Sequence, residues 1–277
     1  MSAFIRHTSE RQVPLDFVST HVYGNDTPKN VFGTRENIPQ SEMVCRAAKK
    51  VHDEVLGSSR PDIPIIWSEY NSTYFNDPKI TDSVFMGPWL ADTLRRCDGL
   101  TDMMSYWTFS DVFEEQGVVR RPFYGGFGLI AAGNIPKPAF NAFKMLHELG
   151  EERYAADSEH ALVTRRADGA FVIALWNYVS PGERGAPITI ALQHDLIGLL
   201  PHSAMLIAMH VTRSKLGAAR WLTRFCSDRI GVGVAIDHDP HSARASVVAA
   251  SQTTRYLSVT EPSAHHHGRS PVHCASQ

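Results

Sequence analysis

The feature that most constrains the fold of this chain is a threefold alternation of a short apolar strand with a longer amphipathic helix. Strand and helix patterns take turns along the first 150 residues, at 15–23, 41–56, 64–69, 82–96, 103–109 and 138–149. Such alternation predicts right-handed crossover connections in a parallel sheet. The second strand is apolar almost to its end, which suits a sheet that helices cover on both faces.

The polar residues that could carry chemistry stand at the C-terminal ends of these strands. Barrels of the (β/α)8 type place their active sites at that end. A doubly wound sheet uses the same edge, but it usually has a glycine-rich first turn, and the glycines at 125–128 follow no strand closely enough. We therefore predict an α/β fold that is a partial (β/α)8 TIM barrel, since three units cannot close a barrel of eight.

The second half of the chain changes to a β pattern. Segments 161–165 and 171–176 flank the turn at 167–169 and predict a β-hairpin, and 187–192 reads as a further strand. From about residue 200 the periodicity is lost and nine of the 14 histidines lie after residue 190, so we expect divergence or a shifted reading frame. The predicted domains are 1–152, a β-rich accessory domain at 158–262 and a disordered tail at 263–277.

Composition excludes several classes of function. A formal net charge of -2 disfavours nucleic acid as a partner, and no apolar run is long enough to span a membrane. The chain starts without a basic and apolar leader, so we expect a cytoplasmic location. The four cysteines show no close spacing, which predicts unpaired thiols and neither a zinc site nor a disulfide framework.

Glu69 is the strongest candidate for a catalytic residue. It ends the apolar strand at 64–69, although a glutamate in an exposed loop is the alternative interpretation. Retaining glycosidases need two carboxylates about 5 Å apart, one to attack the anomeric carbon and one to transfer a proton. Aromatic faces for a sugar ring are also expected, and four aromatic residues are predicted at the same rim: Tyr23, Tyr70, Trp107 and Phe109.

Three ordered motifs make the chain resemble family 39 glycoside hydrolases, and within that family the β-xylosidases. They are Phe17–Tyr23, Ser68–Tyr74 and Ser105–Glu115, and the resemblance covers about residues 4 to 192. It implies that the three strands are the sixth, seventh and eighth of the barrel. It also implies that the β pattern that follows is a small β-sandwich-like appendage.

The resemblance also assigns roles to individual residues. It makes Glu69 the nucleophile. The substrate-binding residues it implies are His21, Tyr23, Trp107, Glu114 and Glu115. A core histidine, a core tryptophan and a solvated acidic pair are the alternatives for His21, Trp107 and the two glutamates. The implied substrate is a β-xyloside, and no metal or organic cofactor is expected.

One part of the family pattern, the acid/base glutamate, is missing from this sequence. Its Asn-Glu-Pro motif does not occur in the sequence, and the letters at 35–39 stand in another order. We expect no useful xylosidase activity from this chain alone. Three hypotheses follow: part of a retaining β-xylosidase that lacks its acid/base residue, a non-catalytic remnant or carbohydrate-binding fragment, or an enzyme completed by a separate N-terminal barrel half.

Overall fold

The computed structural model describes residues 1–113, 117–156, 158–181, 183 and 189–194, followed by the strands at 204–210, 234–239, 242–247, 254–260 and 273–275. The chain divides into two compact units, Met1–Phe140 with His267–Gln277, and Asn141–His266. Sequence analysis predicts that the first domain ends at residue 152. In the structure the first unit ends earlier, at Phe140. The functional identities of the two predicted domains stay predictions.

The first unit contains a parallel sheet. Its strands are β1 (Val18–Tyr23), β2 (Ile65–Asn71) and β3 (Met103–Tyr106), with β2 in the middle. The parallel pairing confirms the α/β class that the alternating pattern predicts. A fourth strand, His273–Ala275, pairs in parallel with β3 on its other side. The sequence predicts a disordered tail from 263, and these three residues differ from that prediction.

Helices precede, separate and follow these strands along the chain. They are α1 (Ser2–Glu10), α2 (Pro28–Phe32), α3 (Gln40–Leu56), α4 (Met86–Cys97) and α5 (Pro138–Leu146). Helix α3 matches its predicted range within a residue, and its apolar stripe is buried. Helix α4 begins four residues after the predicted start at 82. The reason is Pro88, which a helix tolerates in its first turn but which would break a helix already running from residue 82.

Cys45 and Cys97 form a disulfide between α3 and α4. The prediction of unpaired thiols is therefore wrong for these two residues. They stand 52 positions apart in the sequence, and the packing of one helix on the other brings their Cα atoms to 5.1 Å. Cysteine spacing cannot reveal such a pair, because the contact depends on tertiary structure.

The second unit contains an eight-stranded sheet. The predicted hairpin is confirmed by the antiparallel pairing of Ala161–Arg165 with Phe171–Asn177, joined by a turn in which Gly169 has φ +84°. The remaining strands of this sheet are Glu152–Ala156, Thr189–His194, Ala204–His210, Val234–Asp239, Ser242–Val247 and Thr254–Thr260. Two small strands of the first unit, Ile130–Ala131 and Ile135–Pro136, pair with each other. The sandwich arrangement of the appendage stays a prediction.

None of the helices in the described part of the chain combines the length and the apolar character needed to cross a lipid bilayer.

Candidate active site

A bulge in β2 brings Glu69 beside His21. Thr20 of β1 is opposite Trp67, and the next residue, His21, is opposite Glu69, so Ser68 is an extra residue in β2. The Ser68 hydroxyl donates a hydrogen bond to the Thr20 carbonyl oxygen at 3.1 Å, which fixes the bulge. Bulges of this kind often re-aim side chains next to active sites. Here the irregularity lies where the strand passes from the core to its polar end.

The Glu69 carboxylate is half-enclosed and has an imidazole for a neighbour. Its side chain is 22% exposed, and Oε1 lies 3.4 Å from Nε2 of His21, whose own side chain is 57% exposed. An ion pair that is this open to water contributes little to stability. The arrangement does, however, hold a carboxylate oriented at a surface that a small polar molecule can reach. A carboxylate in such a place can act as a nucleophile or bind hydroxyl groups.

Tyr23 lies at the end of β1, next to His21. The two rings meet edge to face, with centroids 6.4 Å apart. The backbone N–H of Tyr23 donates to the Asp26 carboxylate at 2.8 Å, so the turn after β1 is fixed locally. On its far side Tyr23 meets the ring of Tyr74 at 5.8 Å, again edge to face. The strand end therefore carries an imidazole and an aromatic ring side by side.

Trp107 follows β3 directly and is held through its backbone. Its N–H donates to the Tyr70 carbonyl oxygen at 3.0 Å, and its own carbonyl oxygen accepts from the Asn71 side chain at 2.6 Å. The indole meets the Phe113 ring edge to face, with centroids 5.3 Å apart. Asn71 is fully buried, and sequence reasoning missed it. The signal for it was available, since a polar residue at the end of a buried strand needs a hydrogen-bond partner.

A glycine-rich loop packs against the backbone next to Trp107. Thr108 donates its N–H to the Phe127 carbonyl oxygen at 3.0 Å, and Leu129 donates to the Thr108 carbonyl oxygen at 2.9 Å. Glycine is required at position 128, because a Cβ there would lie 2.2 Å from the backbone nitrogen of Asp111. The close approach lets the loop at 125–130 run directly along the chain that leaves β3.

A buried lysine anchors the same loop. The Lys137 ammonium lies 2.6 Å from the Asp82 carboxylate and 3.1 Å from that of Asp111, and it donates to the Gly126 carbonyl oxygen at 2.7 Å. The Gly128 N–H donates to the Asp111 carboxylate at 2.7 Å. Burial raises the pKa of the Asp111 carboxyl, although the nearby Lys137 and the Gly128 N–H act in the opposite direction.

Other predicted site residues have different outcomes. Tyr70 is wrong as a rim residue: it is fully buried, with its ring 5.9 Å from that of Tyr106 and 6.2 Å from that of Trp89. The alternation along a bulged strand is what turns it to the other face. Phe109 is exposed near the strand end. Glu114 and Glu115 lie outside the described residues.

Glu36 lies in segment 35–39, which contains the residues of the Asn-Glu-Pro motif in a different order. Its carboxylate lies 2.6 Å from the Arg46 guanidinium on the exposed side of α3. A glutamate engaged by an arginine at an exposed helix surface is poorly placed to protonate a leaving group, because its carboxylate is already occupied by the ion pair. The geometry therefore agrees with excluding this segment as the acid/base motif.

Comparison with known proteins identifies relatives. The family model described as glycosyl hydrolases family 39 matches residues 1–180. A β-xylosidase from Geobacillus stearothermophilus is 36% identical over 221 residues, which are 78% of this chain and 43% of that protein. A β-xylosidase from Caldicellulosiruptor saccharolyticus is 33% identical over 155 residues, 53% of this chain and 30% of that protein.

Solved structures of family 39 enzymes also superpose on this chain. A family 39 β-xylosidase from Caulobacter crescentus superposes with a TM-score of 0.52 at 30% identity, covering 61% of this chain and 34% of that one. A family 39 enzyme from Xanthomonas axonopodis pv. citri gives a TM-score of 0.59 at 25% identity, with 75% and 42% covered. The chain thus spans less than half the length of these relatives. It belongs to glycosyl hydrolase family 39.

Proposed function

We propose that this chain carries the nucleophile half of a retaining β-xylosidase site, with Glu69 as the nucleophile. The observation that carries the proposal is the position of its carboxylate, which the bulge at Ser68 sets beside His21 at the polar end of β2. A retaining enzyme attacks the anomeric carbon with such a carboxylate and forms a covalent xylosyl ester. The relatives named β-xylosidase support the choice of sugar.

The substrate-binding roles follow from the same geometry. His21 contacts Glu69 and would offer its other ring nitrogen to a sugar hydroxyl. Tyr23 at the end of β1 and Trp107 after β3 would provide aromatic surface from the strands on either side of β2. We assign the hydroxyl-binding carboxylates to Glu114 and Glu115 on the strength of the sequence motif alone. The site would take a β-xyloside, including xylo-oligosaccharides, and would need no cofactor.

The acid/base residue is proposed to come from outside this chain. Strands β1 to β3 are taken as the sixth to eighth strands of a (β/α)8 barrel, with residues 1–152 as its C-terminal part and 158–262 as an accessory domain. Strand β1 lies at an end of its sheet, so its outer edge is available to a parallel strand. A complementing N-terminal barrel half would pair there and bring the Asn-Glu-Pro carboxylate toward Glu69.

The missing acid has a calculable consequence. General acid help is worth about 10²- to 10⁴-fold in rate. The loss matters most for substrates whose leaving group must be protonated, such as an alkyl or sugar oxygen. A dinitrophenolate leaves without protonation, so a dinitrophenyl xyloside isolates the step that depends on Glu69.

The test compares the chain alone with the chain mixed with a separately expressed family 39 half barrel that bears an Asn-Glu-Pro motif. We expect the mixture to hydrolyse a nitrophenyl xyloside and the chain alone to show no useful turnover. Glu69→Gln should abolish the activity of the mixture, whereas Glu36→Gln, the matched exposed glutamate, should leave it unchanged. Activity that survives Glu69→Gln would refute the assignment of the nucleophile.

A second candidate is a carbohydrate-binding fragment or remnant without turnover. The absence of an Asn-Glu-Pro motif from the sequence favours it over an enzyme that acts alone. It predicts that xylose binds but that no half barrel restores hydrolysis. The complementation experiment therefore separates the two candidates in one step.

The compartment is also part of the proposal. Sequence analysis favours the cytoplasm, but the disulfide between Cys45 and Cys97 is a type of bond that persists in oxidising compartments and is rare in the cytosol. Alkylation of these cysteines in intact cells, followed by mass spectrometry, decides between a reducing and an oxidising environment.

A further inference from the structure

A row of rings leads away from Glu69 along the surface of the first unit. It begins at His21, which contacts the Glu69 carboxylate, and continues to Tyr23. Tyr23 meets Tyr74 at a centroid distance of 5.8 Å, and Tyr74 meets Phe75 at 4.4 Å with the two ring planes tilted by 55°. The row joins the end of β1 to the loop after β2 without a break.

The loop that carries Tyr74 and Phe75 begins with buried residues. Ser72 and Thr73, directly before Tyr74, are buried. The Tyr74 N–H donates to the Asn25 side-chain oxygen at 3.0 Å, and the Phe75 N–H donates to the Thr73 hydroxyl at 3.0 Å. Both aromatic residues therefore project from a backbone that side chains hold in place, so their rings need little ordering before they bind a ligand.

Phe75 is an exposed aromatic residue on a loop with a buried start. It is 61% exposed and Tyr74 beside it is 38% exposed, although Ser72 and Thr73 in the same loop are buried. Contiguous apolar surface in a soluble protein often marks a binding site. Here the exposed ring ends the row that begins at His21, the neighbour of Glu69. Aromatic faces carry partial negative charge, and the C–H groups on the faces of a pyranose carry partial positive charge. The exposed ring can therefore stack on a sugar.

We propose that Phe75 forms a second sugar subsite, which stacks on a xylose unit further along the ring row than the one held at Glu69. The inference rests on the proposed function for the first sugar, and it deepens that function by naming a residue that favours longer substrates. A chain with this row prefers xylo-oligosaccharides over xylosides with a small leaving group. Tyr23 and Tyr74 bridge the two subsites.

The experiment measures binding of xylose and xylotriose to the full 277-residue chain by calorimetric titration. We expect xylotriose to bind more tightly than xylose. Phe75→Ala should weaken xylotriose binding about 3- to 10-fold, the size of one aromatic contact, and leave xylose binding unchanged. Phe75→Trp should preserve the affinity for xylotriose.

Phe17 provides the matched control. It is 47% exposed and precedes β1, so it lies at the opposite end of the strand from Tyr23. Phe17→Ala removes a similar exposed ring and should change neither affinity. Thermal unfolding of each variant confirms that the fold is retained.

The outcomes separate the subsite from the function on which it depends. Equal xylotriose binding by Phe75→Ala and the unchanged chain overturns the subsite and leaves the assignment of Glu69 intact. The same conclusion follows if the chain binds xylotriose no more tightly than xylose. If the chain binds neither sugar, both the subsite and the proposed binding function are overturned.

Discussion

The disulfide between Cys45 and Cys97 gives the most quantitative prediction for this chain. It joins two helices, α3 and α4, and closes a loop that includes the whole of β2. Replacing both residues by alanine, or reducing the bond, returns that loop to full freedom in the unfolded state. We expect a large loss of stability, because the bond acts mainly on the unfolded chain.

The magnitude follows from the length of the loop. The cysteines are 52 residues apart, and chain entropy for a loop of that size corresponds to about 4 kcal/mol at room temperature. The variant should also lose a little packing, since Cys45 and Cys97 are both buried. Free energy of unfolding should therefore fall by about 4 kcal/mol in the double alanine variant.

Urea unfolding with and without a reductant measures this directly. The unchanged chain should lose stability when the reductant is added under conditions that open the buried bond. The double alanine variant should give the same lower midpoint in both buffers. Peptide mapping under non-reducing conditions should recover the peptides of Cys45 and Cys97 joined together.

Two results would contradict this reasoning. Separate, alkylated Cys45 and Cys97 peptides from the unreduced protein would show that the bond does not form. A joined pair whose reduction leaves the urea midpoint unchanged would show that the unfolded chain is already constrained in this region. The second result would refute the entropic account while retaining the bond.

Two further predictions concern buried contacts. Lys137→Met should lower the free energy of unfolding by about 3–5 kcal/mol at neutral pH, because it leaves two buried carboxylates unpaired. Burial already raises the pKa of the Asp111 carboxyl, and loss of the ammonium should raise it further, so the loss of stability should shrink as acid protonates this group; a loss that grows in acid, measured by urea unfolding, would contradict the ion-pair assignment. Gly24→Ala places a Cβ 2.6 Å from the Ser72 carbonyl oxygen and should cost about 1–3 kcal/mol, whereas Gly57→Ala meets only a contact of 3.4 Å and should stay within about 0.5 kcal/mol by thermal unfolding.

Local patterns predict much of this fold, because they depend on residues that are close in sequence. The periodicity of α3 and the turn of the 161–176 hairpin are of this kind, and both agree with the structure. The predicted start of α4 was wrong because hydrophobic periodicity alone takes no account of Pro88. A rule about proline, also available from the sequence, corrects it.

Contacts between distant residues could not be predicted in this way. The ion cluster brings together positions 82, 111 and 137, and the disulfide joins 45 and 97. Nothing in the spacing of these residues marks them, since each contact depends on how helices and loops pack. The prediction that Tyr70 lies at the rim was wrong for a related reason. The bulge at Ser68 changes which side chains of β2 face the core, and the sequence does not reveal a bulge.

The candidate site was predictable as a set of residue types and not as a geometry. The motifs supplied His21 and Glu69, and the structure adds that they face each other across adjacent strands. Phe75 was missed because its residue type does not suggest catalysis, and Asn71 was missed although its place at the end of a buried strand marks it. Asn71 holds the backbone of Trp107, and Phe75 extends the aromatic row.

In a retaining glycosidase the nucleophile attacks in the first step, whereas the acid/base carboxylate serves both steps, first protonating the leaving group and then activating water. In the proposed function Glu69 has the first role and the acid/base carboxylate comes from outside this chain. On this proposal, attack by Glu69 on an activated xyloside would form the xylosyl ester and release a dinitrophenolate that needs no proton. Hydrolysis of that ester would need a base to activate water, which is the second task of the acid/base residue. With a dinitrophenyl xyloside, a chain that binds the sugar should therefore release one leaving group and stop, with the xylosyl group attached to Glu69. A single burst that Glu69→Gln abolishes would thus locate the nucleophile even where steady turnover is absent.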